Sequence, residues 1–351
     1  MAGYEDKIRR VVPYTPGEQP KEKVIKLNTN EFPYPASPKV TEALRSIGGD
    51  ELRKYPDPEA SELVDKWARY NGLKVSQVFP GVGSDDVLSM CFLTFFNSDK
   101  PVAFPAVTYS FYDVWCDVYR IPYVRVPMRD GFHVDKNDYL KGDFGGIVIA
   151  NPNAPTGLAL SLSDIEEILK ANEDCIVIID EAYVDFGASS AVGLIDKYEN
   201  LIVVQTFSKS RALAGMRIGF AMSNEKVIKY LNDVKYSVNS YTMSRAAIAA
   251  GCAAIDDISY FEDTVSKLIA TRSESFEALA RLGFEFDHSQ TNFVFARHPE
   301  KSGKEIFEEL KKRKIFVRRF DIPGIEDYLR ITVGTDEEME ALYGALEEIL
   351  S

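Results

Sequence analysis

Three short apolar runs each lead into residues able to do chemistry. Gly146–Ala150 runs into Asn151-Pro152-Asn153-Ala154-Pro155-Thr156-Gly157, Cys175–Ile179 into Asp180-Glu181-Ala182-Tyr183, and Leu201–Gln205 into Thr206-Phe207-Ser208-Lys209-Ser210. Arg217 stands eight residues beyond Lys209. In a parallel α/β sheet the carboxyl ends of the strands share one edge, so a single cleft there collects an Asp, a Tyr, a Lys and an Arg. One at a time these residues have plain explanations: a solvated loop lysine, an Asp capping a helix, Asn-Pro and Pro-Thr-Gly as turns. Their succession at strand ends argues for a shared task.

One cofactor accounts for the set. Pyridoxal phosphate needs an amine for its aldehyde, which lysine supplies. It needs a buried carboxylate to keep the pyridine nitrogen protonated, so that the ring accepts electrons from a substrate's α-carbon. A phenol near the ring oxygen tunes the proton affinity of the imine, and an Arg with backbone N–H groups neutralises the phosphate. A cradle for that phosphate is offered by Gly81-Val82-Gly83-Ser84-Asp85-Asp86, which follows Val78–Phe79 and opens a helix near Asp86. Asp86 occupies the third glycine of the Gly-x-Gly-x-x-Gly pattern, and the chain has no Gly-x-x-x-x-Gly-Lys-Ser/Thr loop, so nucleotide readings recede.

These residues need elements to hold them. Further β-branched runs at Val102–Phe104, Tyr123–Val126 and Arg217–Ala221 alternate with helical patterns such as Val87–Phe96 and Ser163–Ala171, the latter opened by a Ser163/Glu166 capping box. Ser37-Pro38 reads as the cap and first turn of a helix reaching about Ile47, and residues 59–71 carry another amphipathic pattern. Continuous apolar strands between helices predict an α/β fold, a mostly parallel sheet covered on both faces. Residues 1–30, with Pro13, Pro16, Gly17 and Pro20, read as an irregular arm. After about residue 240 the pattern becomes helical to 282. Strand-like pieces then follow at Asn292–Ala296, Ile315–Arg318 and Tyr328–Val333, with capping boxes at Ser302/Glu305 and Thr335/Glu338. The expected division is an arm (1–30) joining a small α+β C-terminal domain (246–351), and a large α/β domain (31–245).

Composition narrows the partners. The 351 residues include 41 Lys plus Arg against 54 Asp plus Glu, a net charge of −13, which argues against nucleic acid or an anionic membrane as partner. A local Arg cluster still suits a small anionic substrate. The four cysteines form no Cys-x-x-Cys and only three His exist, so no Cys/His metal site is expected. The cysteines read as core residues of a reducing compartment, no signal peptide is visible after Met1, and the apolar runs are too short to span a bilayer; a cytoplasmic protein is expected.

Five segments carry a family resemblance over nearly the whole chain. They are Leu27-Asn28-Thr29-Asn30-Glu31, Arg53-Lys54-Tyr55-Pro56-Asp57, Asp180-Glu181-Ala182-Tyr183, Phe207-Ser208-Lys209-Ser210 with Ala214-Gly215-Met216-Arg217, and Tyr328-Leu329-Arg330-Ile331-Thr332-Val333-Gly334. The chain resembles the class I/II aminotransferases with the aspartate aminotransferase fold, and within them the histidinol-phosphate aminotransferase branch. The resemblance implies a homodimer with shared active sites, binding pyridoxal phosphate as an imine on Lys209. Lys209 would also shuttle a proton between the substrate α-carbon and the cofactor's C4′ carbon. By the same resemblance Asp180 pairs with the pyridinium, Tyr183 hydrogen-bonds the ring oxygen and Tyr109 stacks on the ring. Ser84, Asp85 (through its backbone N–H), Thr206, Ser208 and Arg217 surround the phosphate, and Tyr55 reaches the phosphate of the neighbouring subunit. Arg330 and Arg318, with Arg319 as a substitute, receive substrate anions, and Tyr14 and Asn30 close over the substrate. One position departs: the family's Asn before Pro-Thr-Gly is Ala154, which leaves Asn153 as the replacement at the ring oxygen. The implied reaction moves an amino group between glutamate/2-oxoglutarate and histidinol phosphate/imidazole acetol phosphate. On the same fold, threonine-phosphate decarboxylase and aromatic aminotransferase chemistry remain open. A non-catalytic cofactor-binding regulator is disfavoured, because no DNA-binding domain fits before residue 30.

Overall fold

The computed structural model describes residues 3–351. Among them, twelve strands form two sheets. The strands are β1 Ile25–Leu27, β2 Val78–Gly81, β3 Val102–Pro105, β4 Tyr123–Val126, β5 Gly146–Ala150, β6 Val177–Asp180, β7 Leu201–Thr206, β8 Gly219–Met222, β9 Glu285–Phe286, β10 Phe293–Arg297, β11 Ile315–Arg319 and β12 Tyr328–Thr332. The larger sheet has the order β2-β8-β7-β6-β5-β3-β4. Its neighbours from β7 to β4 are parallel, and β8 alone runs against both strands beside it. This is the mostly parallel α/β sheet that the apolar runs predict.

Every residue of β5, β6 and β7 is buried, as a strand covered on both faces requires. Successive side chains enter opposite cores, following the period of two. Ile147 and Ile149 pack with Leu63, Trp67 and Ile165 on one face. Val148 packs with Leu88, Phe92 and Trp115 on the other. Burial of each such side chain contributes about 1.5–3 kcal/mol, which fixes the height and register at which the strands end.

The reversal of β8 places Arg217 at the site. The strand begins at Gly219, not at Arg217 as the apolar run suggests, and Arg217 adopts the left-handed conformation (φ 54°) just before it. Because β8 runs antiparallel to β7, its start lies at the edge where β5, β6 and β7 end.

The smaller sheet has the order β1-β11-β12-β10-β9. The stretch read as an irregular arm thus contains a strand: β1 pairs in parallel with β11, Ile25 opposite Ile315. Local patterning misses a three-residue strand whose only partner lies far along the chain. The helix Arg245–Ile255, beyond residue 245, packs Ala247, Ala250, Ala254 and Ile255 into the core of the larger sheet. The next helix spans Ile258–Arg281. That helix contributes Val265 and Leu268 to a cluster with Tyr183, Phe186 and Phe293, and Leu279 to the core of the smaller sheet.

Three helix starts test the capping expectations. Thr335 and Glu338 form the full reciprocal box. Ser302 accepts from Glu305 N, but the Glu305 side chain turns to Lys301, so half the box is made. The third start falls two residues earlier than expected: Ser161 accepts from Asp164 N and caps the helix Leu162–Ala171, while Ser163 lies inside its first turn. Ser161→Ala is expected to cost about 1 kcal/mol in urea unfolding, whereas Ser163→Ala should change stability by less than about 0.5 kcal/mol.

Candidate active site

Asp180 is the last residue of β6 and only 5% exposed. Its Oδ2 accepts from the Tyr112 hydroxyl at 2.8 Å and its Oδ1 from Ala182 N at 3.3 Å. Burial outweighs these donors and pushes its pKa up to about 6. Tyr112 was not among the sequence candidates. It sits three residues after Tyr109 in an aromatic helix, where a core reading is the natural one. Glu181 was also missed: it takes Ser190 Oγ, Ala191 N and Gln205 Nε2, and burial pushes it up to about 7.

Asp180 opens into a cavity whose wall also includes Ser84, Asp85, Tyr109, Tyr183, Thr206, Ser208, Lys209 and Arg217. Lys209 Nζ lies 5.6 Å from the centre of the Tyr183 ring. Among the described residues no carboxylate stands within ion-pair range of Lys209. One end of the cavity is an anion cradle at the N-terminus of the helix Ser84–Phe95, where unpaired N–H groups and the helix dipole point outward. Arg217 crosses that terminus and donates to Asp85 Oδ2 (3.2 Å), Ser208 Oγ (3.4 Å) and Ala214 O (3.3 Å). Two glycines make this approach possible. A Cβ on Gly83 (φ 86°) would lie 2.5 Å from the Arg217 guanidinium, and one on Gly219 would lie 2.4 Å from the Gly83 backbone. The Asp85 carboxylate also accepts from Tyr109 Oη at 2.8 Å, which orients the Tyr109 ring. Burial and that carboxylate hold the Tyr109 hydroxyl well above its usual range.

Asn153 does not line this cavity. Its Nδ2 donates to Val107 O (2.9 Å) and Thr156 Oγ1 (3.0 Å), and its Oδ1 accepts from Thr108 (2.7 Å). Every polar atom of its amide is spent on holding the loop, and Ala154 faces the cavity instead. The position expected to replace the missing amide thus presents none of its polar atoms to the cavity wall.

Arg318 and Arg330 stand directly opposite each other on the antiparallel pair β11/β12. Residues so paired project from one face, and like charges there repel. Neither has a carboxylate within ion-pair range among the described residues. Arg330 donates to Asn28 O at 3.0 Å and lies over Phe293 and Phe320, and burial pushes its guanidinium down. Tyr183, Tyr14, Arg318 and Tyr109 are its charged and titratable neighbours. Arg318 donates to Thr15 O at 3.3 Å and lies over the Phe320 ring. Arg319, the alternative, is taken by Asp321 and Glu326 O. Tyr14 stacks on Phe111 at 4.3 Å and stands 6.4 Å from Tyr109, so the arm lies over the mouth. Asn30 is buried, and its Nδ2 donates to Tyr183 Oη at 2.8 Å. Tyr55 is 78% exposed and stacks on Tyr241, away from this cavity.

The donor set suits pyridoxal phosphate. An amine faces a buried carboxylate across a cavity with an aromatic wall, and a helix terminus with an Arg lies at the far end. Residues 22–346 match the family model for aminotransferase class I and II. The chain is 51% identical over 349 residues to a histidinol-phosphate aminotransferase of Marinomonas sp. (strain MWYL1), covering 99% of each chain. It is 49% identical over 347 residues to one of Brachyspira hyodysenteriae, covering 98% of each. The histidinol-phosphate aminotransferase of Sinorhizobium meliloti, solved in complex with pyridoxal-5′-phosphate, superposes with a TM-score of 0.85 at 27% identity, over 93% of this chain and 90% of that one.

The raised pKa of Asp180 has a sign. An Asp titrating near 6 when folded and near 3.8 when unfolded favours folding fully below pH ~4, and that contribution is lost as pH rises through about 6. In cofactor-free protein Asp180→Asn should therefore be more stable than the parent at pH 8, by on the order of 2 kcal/mol, and lose that advantage by pH 4. Urea unfolding at the two pH values measures this. The same variant should bind pyridoxal phosphate far more weakly.

Proposed function

Because the chain belongs to the class I and II aminotransferases, we propose that it passes the amino group of glutamate to imidazole acetol phosphate, leaving 2-oxoglutarate and histidinol phosphate. The observation that carries this substrate pair is the facing Arg318–Arg330 pair, which lacks a carboxylate among the described residues. Two guanidiniums held together at the mouth accept one anion at a time, the carboxylate of the donor or the phosphate of the acceptor. The identity of about half to enzymes named for histidinol phosphate supports the same choice.

Bound in the cavity, pyridoxal phosphate supplies an aldehyde for the Lys209 amine and an electron-accepting ring for the substrate's α-carbon. The residues around it divide the remaining work. Asp180 holds the proton on the ring nitrogen, where the positive charge relieves the cost of its own burial. Lys209 Nζ carries a proton between the substrate α-carbon and the carbon that was the aldehyde. Tyr183 donates to the ring oxygen and Tyr109 covers one ring face. The backbone at Ser84 and Asp85, the hydroxyls of Thr206 and Ser208, and Arg217 hold the phosphate. Tyr14 closes over the substrate from the arm side, whereas Asn30, expected beside it, is buried with its amide engaged by Tyr183 and Thr332. Exposed Tyr55 reaches the phosphate site of a second copy, so the working unit in this reading is a homodimer in the cytoplasm. Its large domain ends after the helix Arg245–Ile255, and its small domain includes β1.

Purified protein should show a near-visible absorbance band from the Lys209-linked cofactor, and histidinol phosphate should shift it. Absence of any shift with histidinol phosphate, alongside one with phenylalanine, would move the substrate assignment to aromatic amino acids. Lys209→Ala should lower the transfer rate by roughly 10³-fold or more with the unfolding midpoint retained. Arg330→Ala should lower kcat/KM by about 10- to 100-fold, the worth of a charged hydrogen-bond pair.

A further inference from the structure

Tyr183 Oη accepts a hydrogen bond from Asn30 Nδ2 at 2.8 Å. Asn30 is itself gripped from the smaller sheet. Its backbone N donates to Thr332 Oγ1 (3.1 Å), the Thr332 hydroxyl donates to Asn30 Oδ1 (3.1 Å), and Asn292 Nδ2 donates to Asn30 O (3.0 Å). All three residues are nearly inaccessible: Asn30 is 1% exposed, Asn292 0% and Thr332 2%. Asn30 adopts φ 54°, a left-handed conformation that Asn tolerates better than most side chains. A buried, strained and fully used amide is costly to keep unless it does something. In the structure the Thr332 hydroxyl donates to Oδ1 and the amide NH₂ faces the phenol, so the phenol oxygen accepts from Asn30 and its own proton is free to point elsewhere. The cavity lies on that other side.

The second observation is Ala154. A methyl stands on the cavity wall at the position where the family resemblance implies an amide, and the amide of Asn153 is fully engaged in the loop. Tyr183 is left without a neighbouring donor at that position, and a phenol that accepts one hydrogen bond donates a stronger one.

We propose that Asn30 is a positioning residue: held by Thr332 and Asn292, it fixes the Tyr183 phenol as the donor to the cofactor's ring oxygen, in place of the amide that position 154 lacks. The same stitch leads to the substrate side. Thr332 lies two residues along β12 from Arg330, on the same face of the strand, and Arg330 donates to Asn28 O two residues before Asn30. An anion settling on Arg330 and a proton held at the cofactor are thereby joined through the segments Asn28–Asn30 and Arg330–Thr332 and one phenol.

This inference rests on the proposed placement of Tyr183 at the ring oxygen, and the test separates the two. The readout is the pH midpoint of the near-visible band of the purified holoenzyme, which reports the proton on Lys209 Nζ in its link to the cofactor. A donor at the ring oxygen stabilises the deprotonated form and keeps the midpoint low. Tyr183→Phe should raise it. Asn30→Gly, which fits φ 54° and adds no charge, should raise it by about one pH unit, a tenfold change in proton affinity. Thr332→Val should raise it by less, since the amide remains but loses its anchor; it also serves if Asn30→Gly does not fold. Adding Ala154→Asn to the Asn30→Gly background should bring the midpoint back down. If Tyr183→Phe moves the midpoint while Asn30→Gly and Thr332→Val merely lower the unfolding temperature, Asn30 is structural and the inference is overturned. If Tyr183→Phe itself leaves the midpoint in place, the placement of Tyr183 fails instead.

Discussion

A carboxylate removed from water at the end of a buried strand is unstable in its charged form unless something cationic is set against it. Asp180 has the Tyr112 hydroxyl, one backbone N–H and the more distant Lys209 ammonium, and they do not suffice to return its pKa to the ordinary range. The rest of the larger sheet is arranged around that deficit. β6 is buried on both faces, so the side chain cannot swing to solvent, and the cavity gives access from one direction. A protonated heterocycle entering by that route meets a site whose carboxylate is in place before binding and loses nothing to reorganisation. Stability forgone in the empty protein becomes affinity for a cationic ring.

Charge repulsion does the corresponding work at the mouth. The protein carries a net charge of −13, which by itself would slow the approach of phosphates and carboxylates. Arg318 and Arg330, locked opposite each other by the register of β11 and β12, reverse that field over a few ångströms. Aromatic faces of Phe293 and Phe320 lie under the Arg330 guanidinium and keep it from being neutralised by a flexible side chain. Such a pair resembles Asp180 in one respect: each is a local energetic defect that a ligand of opposite charge removes.

Much of this was legible in the sequence because strands buried on both faces are unbroken apolar runs, and the polar residue ending each run marks the sheet edge. That is how Asp180, Thr206 and Lys209 could be placed together. Residues whose role depends on contacts far along the chain were not legible. Tyr112 looks like any aromatic in an amphipathic helix until β6 is known to end beside it. β1 is three residues long and has meaning only against β11. Asn153 and Ala154 are adjacent, and nothing local says which one turns into the cavity; the hydrogen bonds of Asn153 to Val107 and Thr108 decide it. Buried Ile218 extends the apolar pattern ahead of β8, whereas the left-handed turn at Arg217, which carries the guanidinium across the helix terminus at Gly83, keeps the strand from starting before Gly219.

The contacts between the two sheets show why those distant residues matter. Arg272, on the helix Ile258–Arg281, donates to Phe186 O at 2.8 Å, just after Tyr183, and to Thr291 O at 2.7 Å, just before β10. Burial alone pushes its guanidinium down to about 10, and no carboxylate lies within ion-pair range among the described residues. Two carbonyls therefore carry a buried positive charge that neither could hold singly. Asn30 makes the second tie, from the smaller sheet to the Tyr183 phenol itself. Arg272 thus ties the backbone at Phe186, three residues after Tyr183, to Thr291, and Asn30 ties the Tyr183 hydroxyl to Thr332. The strand that carries Arg330 and the Tyr183 phenol are thus joined by buried hydrogen bonds that run from the smaller sheet to the cavity wall.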